Sequence, residues 1–338
     1  ETVRKHINAD HLHEIIFTKG NTEAINLVAN GFRTLLTSTD EVLVSAIEHH
    51  SNIVPWQMAC ESSGASLKVI PMNDKGELDI KAYESLLSNN TKVVAVNHIS
   101  NALGTINPVK EISQKAHLRG AVSVVDGVGY APHGFPDLKG LGADIYLFSL
   151  YKTFGPHLGL MYVNKVLIAK MENQSHFFKE GITRSMLTPA GPDHAQIAAA
   201  SGILDYFDLI YDHHFKNETT PHEKNSALNH LFQAHEKELL IRLLDFLKSR
   251  DDIQIVGPDS TKDRAPIVSI IPLKKNIKKV YSSLIHQKLM LGLSNFYAVR
   301  PLVDMDIPRQ PGVIRMSFLH YSSMKEIDQL IDALKVAL

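Results

Sequence analysis

Residues 121–152 read AVSVVDGVGYAPHGFPDLKGLGADIYLFSLYK, and they decide the fold. Two apolar runs, Ala121–Val125 and Ile145–Ser149, are each followed by reactive side chains, Asp126 after the first and Tyr151 and Lys152 after the second. Short runs rich in Val, Ile and Phe read as buried strands. Further candidate strands flank this stretch at Ile15–Thr18, Glu41–Ala46, Leu67–Ile70, Val93–Val96 and Leu160–Val163. Helix-like segments alternate with them at Asn21–Leu36, Ile53–Ser63, Ile80–Leu87 and Val109–Leu118; in the first, Ala24, Ile25, Val28, Ala29, Phe32 and Leu36 recur at helical spacing. Alternating strands and helices predict an α/β fold around a mostly parallel sheet.

Towards the carboxyl end, an Ala-rich stretch from His194 to Phe207 reads as one long helix, and 212–225 as a polar loop. Ala227–Ser249 then reads as helix, Ile253–Val256 and Ile267–Ile271 as strands, and Ser323–Leu338 as a closing helix. The expected division is a large domain over 1–207, followed over 208–338 by connecting helices and a smaller α+β domain. Lys274, Lys275, Lys278 and Lys279 read as a solvated helix face.

The chain has 338 residues and a net charge of −1, with 44% hydrophobic and 21% charged residues. That balance is globular and argues against a general nucleic-acid binder. No apolar run approaches the roughly 20 residues of a membrane span. One cysteine, Cys60, excludes an internal disulfide framework and fits a reducing, cytoplasmic setting.

Open parallel sheets bind ligands at the carboxyl ends of their strands. Here those ends supply Gly20-Asn21-Thr22 at a helix start, then Glu48-His49-His50, then His98, Ser100 and Asn101, then Asp126, and finally Ser149, Tyr151 and Lys152. A helix start exposes backbone N–H groups to an anion such as phosphate, with the Thr22 and Ser149 hydroxyls as further donors. Lysine forms Schiff bases, a buried carboxylate holds a pyridinium nitrogen protonated, and an imidazole can cover the ring. Together these are the requirements of pyridoxal 5′-phosphate. Each part also has an ordinary reading: Asp126 as a helix cap, Lys152 as a surface charge, and His49 and His50 as loop polarity. No H-E-x-x-H or Cys/His ligand spacing is present, so no metal is expected, and no P-loop, dinucleotide or G-x-S-x-G motif occurs.

At these residues the chain resembles the class V aminotransferase group of fold-type I pyridoxal-phosphate enzymes, most closely the cysteine desulfurases and their desulfurase-like relatives. The segments that carry the resemblance are TKGNTEAINLVAN (18–30), EHHSNIVPWQ (48–57), HISNALGTINPVKEI (98–112), VVDGVGYAPH (124–133), FSLYKTFGPHLG (148–159) and GVIRMSFLHYSSMKEIDQLI (312–331). The resemblance implies Lys152 as the Schiff-base lysine, Asp126 as partner of the ring nitrogen and His49 stacked on the ring. It places the phosphate on Asn21, Thr22 and Ser149, Tyr151 beside the lysine, and Asn101 near the ring's phenolic oxygen. Arg315 matches the arginine that grips the substrate α-carboxylate; its ordinary alternative is a surface salt bridge. A homodimer acting on a small amino acid, with no nucleic-acid or membrane partner, is implied.

Four departures bear on activity. The loop Ser294–Pro301 carries Ala298 or a neighbour where desulfurases place a reactive cysteine, and Cys60 reads as a packed structural residue. Tyr151 replaces the usual His before the lysine, and Gly129 stands where Gln or His is typical. LTPAGPDHAQIAA (187–199) stands where relatives carry a Gly-Thr-rich loop that crosses to the neighbouring subunit's phosphate. Persulfide-type desulfurase activity is therefore expected to be weak or absent. The alternatives are a C–S or C–N lyase on a larger cysteine derivative, admitted by the apolar loop Phe296-Tyr297-Ala298, or a non-catalytic binding protein on the same fold. Relatives carry several dozen residues ahead of the position matching Glu1, so a segment upstream is expected.

Overall fold

A computed structural model describes all residues, 1–338. Seven strands form one sheet in the order β1-β7-β6-β5-β4-β2-β3. They are β1 (Ile15–Thr18), β2 (Glu41–Ser45), β3 (Ser66–Ile70), β4 (Thr91–Asn97), β5 (Val122–Asp126), β6 (Ile145–Ser149) and β7 (Gly159–Val163). Only β7 runs against the others, pairing antiparallel with both β1 and β6. The central strands are buried on both faces, which is why they read as unbroken apolar runs rather than alternating ones. One face packs on Ala24, Ile25, Val28 and Phe32 of the helix Asn21–Phe32, with Trp56 edge-on to Phe32 at 5.8 Å. No helix is long and apolar enough to cross a membrane.

A second, antiparallel sheet has the order β10-β11-β9-β8, from β8 (Ile253–Val256), β9 (Ile267–Pro272), β10 (Gly292–Ser294) and β11 (Val313–Ser317). The long helix expected from His194 is two helices, His194–Ala199 and Gly202–His214, interrupted at Ala200-Ser201. The polar stretch after it is loop only over 215–220, its two ends belonging to helices. Pro221–Lys248 is one helix whose start is fixed by a reciprocal cap, Thr220 with Glu223, and by Pro221 in the first turn. Strands β10 and β11 escaped the sequence reading because each is short and lies between Gly and polar residues.

A buried polar seam ties the ends of β2 and β4 together behind the sheet's carboxyl edge. Glu48 bonds to Ser45, accepts from Asn52 Nδ2 at 2.7 Å and from the Asn97 N–H at 2.7 Å, and is 0% exposed. Asn97 Nδ2 donates to the Ile47 carbonyl at 2.6 Å, so the loop carrying His49 is clamped to the strand that leads to Asn101. Burial pushes the Glu48 carboxyl up to about 8, from an ordinary 4.5. Between those two values the folded chain keeps a proton that the unfolded chain sheds, so this group's contribution to stability is complete below pH 4.5 and is lost as pH rises through about 8. Glu48→Gln has no such proton. Urea unfolding of both proteins should show the wild type's advantage over Glu48→Gln shrinking by on the order of 3 kcal/mol between about pH 5 and pH 8; parallel pH curves would show that Glu48 titrates normally.

Candidate active site

The carboxyl ends of the parallel strands converge on one cavity of ≈ 550 Å³. Asn21, Thr22, His49, Asn101, Asp126, Ser149, Tyr151 and Lys152 all line it, so these eight sequence-derived candidates of the large sheet face the same space. Arg315 lines a second cavity of ≈ 620 Å³, which shares His49, Asn101, Gly129 and Lys152 with the first.

One end of the first cavity suits an anion. The helix Asn21–Phe32 begins there with no side-chain cap, leaving first-turn N–H groups for a ligand. Beside it, the Ser149 Oγ is buried and has no hydrogen-bond partner. A buried hydroxyl left unpaired is costly unless a ligand completes it.

The same cavity holds a lone carboxylate. Asp126 ends β5 in the middle of the sheet, aligned with Asn97 of β4 and Leu147 of β6. Its Oδ1 accepts from Asn21 Nδ2 at 3.1 Å and from the Val128 N–H at 3.0 Å, while Oδ2 accepts from no protein donor. Burial raises its pKa; the two donors and the nearby Lys152 charge pull it back. Such a group is ionised most readily beside a cation supplied by a ligand. The turn after it needs glycine, because a Cβ at Gly127 would run into the Tyr146 ring.

His49 is fixed by its own Nδ1, which meets the Ser51 hydroxyl at 2.7 Å and the Ser51 N–H at 3.1 Å. Burial, then the Lys152 charge, lowers its pKa to about 4, so at neutral pH it is an uncharged ring. An uncharged imidazole covers an aromatic cation without repelling it. Tyr297 packs against its ring at 5.4 Å. Lys152 follows the end of β6 in a short 3₁₀ turn, with its Nζ 5.8 Å from the Tyr151 ring, and it takes part in no ion pair. Tyr151 is stacked on His157 at 4.4 Å.

Arg315 sits on β11 between Gly292 and Ser269 of the neighbouring strands. Its guanidinium lies 3.8 Å over the Phe296 ring, and Nη1 donates to the Asn101 carbonyl at 2.7 Å. Burial lowers its pKa to about 10, and no carboxylate pairs with it. The surface salt bridge is therefore not what this arginine makes. Asn101 completes the corner by donating Nδ2 to the Phe296 carbonyl at 2.8 Å, with its Oδ1 buried and unpartnered.

Other residues stand apart. His98 also follows β4, but it is stacked on Tyr130 at 3.9 Å and bonded to the Tyr146 hydroxyl at 2.8 Å, and it lines neither cavity. No residue of 187–199 lines either cavity. Gly129 is held by close approach, since a Cβ there would lie 2.6 Å from the Ile99 carbonyl oxygen. Cys60 is buried in the helix Val54–Ser63, lines neither cavity, and burial pushes its thiol up to about 11. Sequence reasoning missed Glu48 as a clamp, and it missed the left-handed backbone of Phe296 and Tyr297, φ 53° and 56°. The adjacent Glu48-His49 pair was the available sign of the first; two bulky residues at positive φ give no sign in sequence.

An uncapped helix start with an orphan hydroxyl, an unpaired buried carboxylate, a neutral covering imidazole and a free amine fit pyridoxal phosphate. Comparison with known proteins agrees. The family model "Aminotransferase class-V" matches residues 1–182. A probable cysteine desulfurase of Halalkalibacterium halodurans is 46% identical, over 99% of this chain and 80% of that protein. An aminotransferase-like protein of Gibberella zeae is 33% identical over 99% of this chain and 81% of its own length. Among solved structures, the apo cysteine desulfurase of Thermococcus onnurineus superposes with a TM-score of 0.86 at 25% identity, covering 99% of this chain and 82% of the other. The family model and relatives matched along almost all of this chain coincide, and the chain belongs to the class-V aminotransferase family, whose members use pyridoxal phosphate.

Proposed function

We propose that this chain is a pyridoxal-phosphate enzyme that acts at Cα of a small amino acid, with Lys152, Asp126 and His49 as its catalytic residues. The observation that carries the reading is Arg315, a half-buried cation without a carboxylate, on a cavity that shares Lys152 with the strand-end site. When bound, pyridoxal phosphate supplies an electron-withdrawing ring that accepts the electron pair left at the substrate's Cα.

The chain's own groups do the rest. The N–H groups at Asn21 and Thr22 and the Ser149 hydroxyl bind the phosphate. Asp126 holds the proton on the ring nitrogen, and the cation it faces there offsets the burial that otherwise raises its pKa. The guanidinium of Arg315, already oriented by the Asn101 carbonyl and the Phe296 ring, offers its remaining N–H groups to the substrate carboxylate. Lys152 takes the Cα proton at Nζ, which no acidic side chain ties down. His49, with Tyr297 packed against its ring, lies over the site. A homodimer in the cytoplasm completes the reading; exposed Phe177 and Phe178 offer apolar surface for a second copy.

Persulfide chemistry is proposed to be weak, because Ala298 is fully buried where the loop turns into the helix Val299–Asp304, and the Cys60 thiol is sequestered. The second reading is a C–S or C–N lyase on a larger cysteine derivative, favoured by Phe296, Phe318 and Tyr321 around the second cavity.

Three outcomes follow. Lys152→Ala should lose the visible absorbance of the lysine-bound cofactor, and a variant that keeps it would remove Lys152 from the site. Arg315→Lys should lower kcat/KM about 10- to 100-fold, chiefly through KM, as expected for a lost bidentate charged contact; an unchanged KM would place the carboxylate elsewhere. Alanine and sulfide release from L-cysteine should be low and indifferent to Cys60→Ser, whereas robust release abolished by that substitution would overturn the reading of Cys60.

A further inference from the structure

One buried His-Glu pair, of which the histidine lines the second cavity, has no part in holding the cofactor or the α-carboxylate. His133 ends the short turn Ala131–His133 after β5, and Glu236 lies within the helix Pro221–Lys248. They are 7% and 3% exposed, and His133 Nδ1 lies 2.9 Å from Glu236 Oε2. No lysine or arginine pairs with Glu236, and its Oε1 has no partner. A carboxylate accepts, so the proton of a neutral His133 ring sits on Nδ1 and the lone pair on Nε2. No protein group bonds Nε2, and His133 lines the cavity together with Lys152 and Arg315.

The helix that carries Glu236 is itself tied in place. One turn before Glu236 on the same helix, Phe232 is stacked on His320 at 3.9 Å, and the Tyr206 hydroxyl meets His320 Nε2 at 2.8 Å. The adjacent His235 bonds the Ser322 carbonyl through Nε2 at 2.7 Å. Both contacts tie this helix to the segment after β11, whose Phe318 and Tyr321 form other parts of the cavity wall. An apolar pair of equal volume would pack this seam at least as well. What the His-Glu pair adds is a polar ring on the wall of this cavity, its Nδ1 held by a carboxylate.

We propose that His133, oriented by Glu236, is a specificity-determining residue whose Nε2 accepts a hydrogen bond from a hydroxyl, thiol or amide on the substrate's side chain. The substrate is then an amino acid with a donor-bearing side chain rather than a purely aliphatic one. This rests on the reading of Arg315 and Lys152 as the amino-acid site.

The test is a titration of the holoenzyme with L-homoserine and its apolar isostere L-norvaline, read by the change in cofactor absorbance. The wild type should bind L-homoserine about fivefold or more tightly than L-norvaline, the factor that one neutral hydrogen bond supplies. The double substitution His133→Leu with Glu236→Leu leaves no orphan charge; it should bring the ratio close to one while L-norvaline binding is retained. Glu236→Gln can donate to Nδ1 and so move the ring proton to Nε2. It should lower the same ratio, with ring-nitrogen NMR shifts of His133 reporting the changed tautomer. A wild-type response to both amino acids with one unchanged ratio in every variant would overturn the proposal and leave the pair a structural clamp. A wild type that responds to no amino acid would instead overturn the underlying reading, and the proposal with it.

Discussion

A carboxylate cannot be buried at the centre of a parallel sheet without something to balance it, and Asp126 occupies such a place. Its two donors both reach Oδ1, and burial outweighs them, so the folded chain carries an acid whose charged form needs an external cation. The rest of the site is arranged around that need. Asn21 both donates to Asp126 and opens the helix whose free N–H groups suit an anion, so one residue links the two features. His49 is kept neutral where a second positive charge would compete with the ligand's own.

The large sheet was legible because its central strands are buried on both faces. Continuous apolar runs followed by polar residues gave the positions of β1 to β7, and the rule that ligands sit at carboxyl ends gathered Asn21, His49, Asp126 and Lys152 before any contact was known. The reading weakened where structure depends on local capping or long-range pairing. The start of Pro221–Lys248 is set by Thr220 and Glu223, a pattern hidden inside a polar stretch that reads as loop. β10 exists only because β11 pairs with it, and nothing in Gly292-Leu293-Ser294 announces that. His98 shows the opposite error. It follows a strand as His49 does, yet packing on Tyr130 and Tyr146 takes it out of the cavity.

The second sheet contributes one strand, β11, and one loop, 295–298, to the chemistry. Arg315 reaches the site because its neighbour Phe296 supplies a ring face and Asn101 a carbonyl, a corner built from both sheets' connections. The same loop holds Ala298 buried and turns Tyr297 onto His49. Aromatic packing thus stands where the desulfurase relatives are expected to carry a reactive thiol, and the remaining cysteine is enclosed in the helix behind.

The central claim is that Lys152 is the residue joined to the cofactor within this cavity. Borohydride reduction of the pyridoxal-phosphate-loaded protein, followed by peptide mass mapping, tests it directly. A single modified lysine, at position 152, is the expected result. Modification at another lysine, or an unmodified Lys152 in protein that retains the cofactor, would contradict it.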